Sequence, residues 1–585
     1  MTAAAGGLEH VRHVFLEGCE LPRAWEGRPH WRVLDTGFGA GLKFLSTWQA
    51  WRSDPLRPRL LHVVALVERP AAAGDLHAVV RTYPLLQPLA DALASQWQGL
   101  VPGFHRLSFE QDRVLLTLCV GDPAAMLREQ AFRADAVFLD AGVGAAPWTI
   151  DRLKAVTRLC RRGAMLAAPA ASQSLRHDLQ TCGWRVQVRP GLPAAGAGLA
   201  ARHDPAWPVK ALDLESGALI GDAVVIGAGL AGAAAAASLA RRGWQVRVLD
   251  AAAAPAAGAS SLPAGLLAPH QSPDDNLLSR LSRAGVRMTL EQARQRLAPG
   301  LEWAETGVLE WRGTDHRSLP ALGEALLPWS REATDAQKLA AGVAAADTAW
   351  WHQKAAWIEP AALVRSWLRE PGIRFVGPCA VAAIVRDGAR WGIVAADGGR
   401  LADADLVVVA AGLGSNALMG DRLQLHAVGG QVTWAPHADD DRALPPFPVN
   451  GNGHFLPHVP LVDRGAWITG SSYRRGDADT SNRSEDTLAN LERVRAVLPA
   501  AAGAMAAAID RGAVRSWSGV RCASADRRPL VGEIAPGLWV STAMGSRGLT
   551  FAALCGELLA ARLHAEPLPL EARLAQTLDV ARALA

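Results

Sequence analysis

At 585 residues, half of them hydrophobic, the chain exceeds what one core organises, and two or three domains are expected. No charge-free apolar run reaches the roughly 18 residues of a membrane span, and the N-terminus lacks the basic-then-apolar pattern of a secretory signal. Seven scattered cysteines with no CxxC pair argue against a disulfide framework and a metal site, and suit a reducing cytoplasm; the net charge of +4 is small, its surplus in residues 1–205 fitting either a polyanionic partner or ordinary surface variation.

In chain order, the first informative stretch is WRVLDTGFGAGLKFLSTW (31–48). A short apolar strand, Trp31–Leu34, leads into Gly37, Gly39 and Gly41 and then an amphipathic segment. Three strand-like runs follow, LLHVVALVE (60–68), VLLTLCVGD (114–122) and DAVFLD (135–140), ending in Glu68, Asp122 and Asp140. In a parallel sheet these acids share the carboxyl edge, where ligands bind. Glycines for close approach, Glu68 for ribose hydroxyls and Asp122 for an adenine edge suit S-adenosylmethionine. Helix capping is the plainer role for Asp122 or Asp140 taken singly. Gly191–Pro208, rich in Gly, Ala and Pro, reads as a connector.

The second stretch, DAVVIGAGLAGAAAAASLARRGWQVRVLD, ends at Asp250. Ala223–Ile226 meets Gly227, Gly229 and Gly232, an Ala-rich helix follows, and Gln245–Leu249 forms a second strand before the acid. The glycines permit a tight turn and a pyrophosphate at a helix N-terminus, and Asp250 suits a ribose diol. A Gly/Ala-rich helix packed on a sheet in another α/β fold is the competing explanation. DLVVVAAG (405–412) returns a strand to Gly412, and Gly545–Gly548 opens a helix whose positive end suits charge developing on a flavin carbonyl. The expected fold is α/β: a Rossmann-like methyltransferase domain (1–200), a linker (201–220), and a larger α+β flavoprotein-like, FAD-binding domain (221–585). FAD and S-adenosylmethionine are the expected cofactors.

GLEHVRHVFLEGCELPRAW (7–25), DTGFGAGLKFLSTWQAW (35–51), GSSYRRGDADTSNRSEDTLANLERV (470–494), GVRCASADRRPLVGE (519–533) and GSRGLTFAALCGELLA (545–560) resemble the MnmC family, bifunctional enzymes of tRNA wobble-uridine modification. The resemblance implies a flavin domain of the D-amino-acid-oxidase/glycine-oxidase type that removes the carboxymethyl group from 5-carboxymethylaminomethyl-(2-thio)uridine. It implies a front domain that methylates the resulting amine. tRNA is the implied partner, with no membrane and no stable protein partner. Asp140, at the family's FLD acid, is placed as the proton acceptor. Arg521 takes the carboxylate-binding position of glycine-oxidase-like proteins, with Arg547 second; a rigid bidentate cation suits that task. The chain departs from the family at AGVGAAPWT (141–149), at GLPAAGAGLAARH (191–203) and at Gly429, where an arginine is common. Two other readings fit the same residues: a glycine- or sarcosine-type amine oxidase with a degenerate front domain, and a flavoenzyme whose front half only binds tRNA.

Overall fold

The computed structural model describes residues 7–140, 148–192, 196–208, 219–312, 319–438 and 444–584. Two compact units emerge: Met1–Leu219 with Ala561–Ala575, and Ile220–Ala560 with Gln576–Ala585. Among the described residues no helix is long and apolar enough to cross a membrane, and all seven cysteines are free thiols.

The first unit is built on β1 (His30–Asp35), β2 (Leu60–Val67), β3 (Gly103–Phe109), β4 (Val114–Val120), β5 (Ala134–Phe138), β6 (Cys160–Ala168), β7 (Trp184–Arg189) and β8 (Gly198–His203), in the order 3-4-2-1-5-6-8-7. The five central strands run parallel, and β3, β7 and β8 are antiparallel to their neighbours. LLHVVALV is buried along its whole length, as a central parallel strand covered on both faces must be. Alternate side chains separate cleanly: Val33, Val63 and Ala65 join the core on one face, Leu34, Val64 and Leu66 that on the other. The chain leaves β1 toward β2 and later returns on its other side as β5, so a crevice opens at the carboxyl end of β1.

The expected connector departs from expectation. Residues Gly198–His203 form β8, buried between β6 and β7. Ladder hydrogen bonds to two neighbours hold a strand whose alanines carry little β signal of their own. The segment Ala561–Ala575 completes this unit: Arg106 Nη2 donates to the Pro567 carbonyl (2.6 Å), Phe104 N–H to Glu571 (3.3 Å), and Glu566 pairs with His62 (3.3 Å) where both are buried.

The second unit centres on a six-stranded sheet ordered Ile373–Val376, Gln245–Leu249, Asp222–Ile226, Leu406–Val409, Leu538–Thr542, Leu530–Ala535. All neighbours are parallel except the last pair. The Ala-rich helix Leu230–Arg241 is buried almost all round; small side chains let Gly556 of helix Gly548–Leu563 approach Ala234, 2.8 Å from where a Cβ would stand. Glu557 locks the two helices by pairing with Arg241 (2.6 Å) and Arg242 (3.1 Å). A nine-stranded mixed sheet carries the long antiparallel pair His426–Pro436 and Arg515–Ala523, which sets Arg521 opposite Val428.

Candidate active sites

In the second unit, Gly227 follows the central strand at φ +107°, where an added Cβ would stand 2.5 Å from the Ala410 carbonyl oxygen. Only glycine fits that crossing. Gly229 is the N-cap of helix Leu230–Arg241, and Ser260 Oγ accepts from Leu230 N–H (3.0 Å). Gly232 lies outside the pocket lining: its missing Cβ would overlap the Gly227 carbonyl, so it brings helix and loop together rather than touching a ligand. The Asp250 carboxylate accepts from Ala228 N–H (2.7 Å) and Ala252 N–H (2.8 Å). Two of its lone-pair directions remain for a diol.

Gly227, Gly229, Asp250 and Ser260 line one cavity of about 1070 Å³, together with Gly412, Arg521, Gly545, Arg547 and Gly548. Gly412 and Gly545 sit at φ +57° and +56° with open space where a Cβ would stand. A 3₁₀ turn, Gly545–Arg547, runs into helix Gly548–Leu563, whose N-terminus thus faces the cavity. Arg521 Nη2 donates to Ser471 Oγ, while Nη1 is buried without a partner. Burial holds this guanidinium below its ordinary pKa, as it does that of Arg547, which also faces Arg527. The paired glycines of VGGQV have a steric reason. A Cβ on Gly430 would strike the Arg521 guanidinium, and one on Gly429 would stand 2.9 Å from the Asp477 carbonyl oxygen.

Sequence reading missed two residues here. His454 lines the cavity with Nε2 buried and unpartnered; burial, then the neighbouring Arg521, lowers its pKa to about 4, so it is a neutral imidazole. Tyr473 lines the same cavity and is 45% exposed. Its rarity, as one of two tyrosines, was the available signal.

In the first unit, Gly39 and Gly41 take φ +60° and +85°, and Gly41 caps helix Leu42–Ser53. Gly37 passes the Asp140 backbone so closely that a Cβ would stand 2.7 Å from its carbonyl oxygen. Thr36 ties the same two segments, its Oγ1 accepting from Asp140 N–H (2.9 Å) and donating to the Asp140 carbonyl (2.9 Å). Lys43, unforeseen from sequence, projects from the helix between two acids: Nζ lies 2.6 Å from Asp140 Oδ2 and 3.2 Å from Asp35 Oδ1. Burial alone would depress the Lys43 ammonium, and the two carboxylates more than offset it, raising its pKa. Burial pushes the Asp35 carboxyl up despite the lysine, and Asp35 Oδ2 has no partner. His10 joins this cluster: burial lowers its pKa, opposed by Asp140.

Glu68 is exposed at the end of β2. Asp122 caps helix Pro123–Arg128, accepting from Ala125 N–H (2.8 Å). The loop after Asp140, residues 141–147, lies outside the described residues.

Residues 222–562 match the family described as FAD dependent oxidoreductase, and residues 84–204 the family described as S-adenosyl-L-methionine-dependent methyltransferase. The tRNA 5-methylaminomethyl-2-thiouridine biosynthesis bifunctional protein MnmC of Polaromonas sp. (strain JS666) is 51% identical, over 98% of this chain and 94% of that one. Its namesake from Cupriavidus metallidurans is 38% identical over 100% and 92%. The chain belongs to the MnmC family. Glycine oxidase from Bacillus cereus aligns at 20% identity with a TM-score of 0.48, covering 58% of this chain and 94% of its own.

The MnmC-family chain is therefore a bifunctional enzyme with the methyltransferase domain first and the oxidoreductase domain second, taking S-adenosylmethionine and FAD. Its residues fit both groups. The open faces of Gly412 and Gly545 and the glycine crossing at Gly227 leave room for a dinucleotide. Asp35 Oδ2, buried and unpartnered beside the front glycine loop, is an acceptor open to a hydrogen-bond donor of a bound group.

Proposed function

We propose that this chain carries out two consecutive steps on the wobble uridine of tRNA. The rear domain oxidises the carboxymethyl carbon of 5-carboxymethylaminomethyl-(2-thio)uridine by two electrons, water adds there and breaks the C–N bond so that the fragment leaves as a two-carbon oxo acid, and the front domain methylates the aminomethyl group that remains. FAD, when bound, accepts two electrons, and S-adenosylmethionine supplies an electrophilic methyl.

The chain's own groups provide binding and proton handling. Arg521 binds the substrate carboxylate through Nη1, the buried donor that lacks a protein partner, and Ser471 holds the guanidinium in place through Nη2. Arg547 adds positive charge at the same wall. The N-terminus of helix Gly548–Leu563 stabilises negative charge developing nearby. His454, neutral, offers a hydrogen bond without competing for the carboxylate. The diphosphate would lie along Gly227, Gly229 and Gly412, with Asp250 on the ribose.

In the front domain Asp140 accepts the proton that the primary amine must lose before it attacks. Lys43 Nζ, 2.6 Å from Asp140 Oδ2, holds that carboxylate in place. Gly37, Gly39 and Gly41 would admit the methyl donor, with Glu68 on its ribose. Asp122 reaches an adenine edge only with the oxygen its capping bond leaves over.

The observation that carries this reading is the unpartnered Arg521 donor inside a flavin-sized cavity. The deciding measurement is mass analysis of wobble uridines in cells lacking the chain. Accumulated carboxymethylaminomethyl-uridine supports the order of steps; an unchanged nucleoside profile refutes it. Rapid flavin reduction by free glycine or sarcosine would instead favour a small-molecule oxidase.

A further inference from the structure

Among the described residues of the second unit, Tyr473 is the one aromatic side chain with a large exposed surface, and it lines the flavin cavity. Its backbone is pinned. The preceding Ser472 donates N–H to the Gln431 carbonyl (3.1 Å) and accepts the Gln431 N–H on Oγ (2.9 Å). The following Arg474 is consumed by Asp477 (2.8 Å) and Asp486. Arg475, by contrast, is exposed, and what it does is face the tyrosine: its guanidinium lies 5.9 Å from the ring centroid, as does that of Arg521.

A rigidly mounted, half-exposed ring flanked by guanidinium groups is what an unstacked nucleobase packs on. The spacing agrees. In the substrate proposed above, the carboxylate carbon and the uracil ring are four bonds apart, about 5 Å when extended. A carboxylate carbon about 4 Å from the Arg521 guanidinium carbon lets the base reach up to about 9 Å from that carbon, enough to stack on a ring whose centroid lies 5.9 Å away. Chemistry on a base in a folded RNA also requires that base to leave its stack.

We propose that Tyr473, backed by Arg475, is the platform on which the extruded uracil stacks during oxidation. This rests on the tRNA reading. The test is equilibrium binding of an anticodon stem-loop RNA with uridine at the wobble position, against the same RNA made abasic there, to the full-length FAD-loaded chain. Wild type is expected to prefer the uridine RNA by roughly ten-fold, the range of one base–aromatic stack. Tyr473→Ala should bind both RNAs alike, and Tyr473→Phe should keep the preference, a pattern that general loss of structure does not produce. Retained preference in Tyr473→Ala overturns the inference while leaving the tRNA reading intact. A wild type that binds neither RNA better than an unrelated hairpin overturns the tRNA reading itself, and the inference with it.

Discussion

The two glycine loops look alike in sequence and differ in charge. At the front loop, a single buried ammonium, Lys43, stands between Asp35 and Asp140, with Glu68 and Asp122 on the same sheet edge. At the rear pocket, Arg521, Arg527 and Arg547 line the wall with Asp250 as the acid, and that acid is already held by two backbone N–H groups. The front site is a surplus of carboxylates around one cation, suited to a sulfonium donor. The rear site is a surplus of cations, suited to a diphosphate and a carboxylate substrate. The same backbone device thus serves opposite ligands because the side chains at the strand ends, not the glycines, set the sign of the field.

Removing the charge at each site should break the symmetry most sharply. Lys43→Met leaves Asp35 buried and unpaired, and breaking a buried pair from one side costs about 3–5 kcal/mol. The first unit should melt earlier, read by thermal unfolding, while bound flavin absorbance is unchanged. If Lys43→Met is as stable as the parent, the front cluster is not charge-compensated as described. Arg521→Met does the reverse. It removes a desolvated cation with no counter-ion, so stability should hold or rise, whereas kcat/KM for oxidation should fall by about 150-fold, the loss of a charged hydrogen bond of about 3 kcal/mol. Arg521→Lys should not restore it, because a point charge does not reproduce the planar fork.

Much of this was legible beforehand, and the illegible part has a common cause. Each glycine loop, its flanking strand and the terminal acid lie within a few turns of chain, where spacing alone carries the message. Lys43 and Asp140 are 97 residues apart and meet only because β1 and β5 are neighbours in the sheet. Tyr473 gains its meaning from the ladder that brings Arg521 beside it. The strand Gly198–His203 was hidden because alanine is neutral to β structure when both neighbours supply hydrogen bonds. Likewise nothing in the composition of Ala561–Ala575 says that it belongs to the first unit.

A smaller effect tests whether the rear glycines act by space rather than by contact. Gly232 does not itself line the cavity, yet a side chain there would overlap the carbonyl of Gly227, which does. Gly232→Val should move the loop at a cost of about 2 kcal/mol, or about thirty-fold in FAD affinity measured by flavin titration. An unaltered affinity would mean that helix and loop can separate without disturbing the dinucleotide site, and the rear loop would then differ from the front one in rigidity as well as in charge.

The smallest expected effect falls on Asp122, where sequence allowed two roles. Its carboxylate caps helix Pro123–Arg128 through Ala125. Asp122→Ala should therefore cost about 1 kcal/mol of first-unit stability, the usual loss of an N-cap. Asp122→Asn, which can still accept that bond, should recover most of it. If capping is the whole role, calorimetric S-adenosylmethionine affinity stays level in both variants. If the second oxygen also meets the adenine edge, affinity drops in Asn and Ala alike while stability separates them, because an amide keeps one acceptor for the cap but presents a donor where a donor must be received.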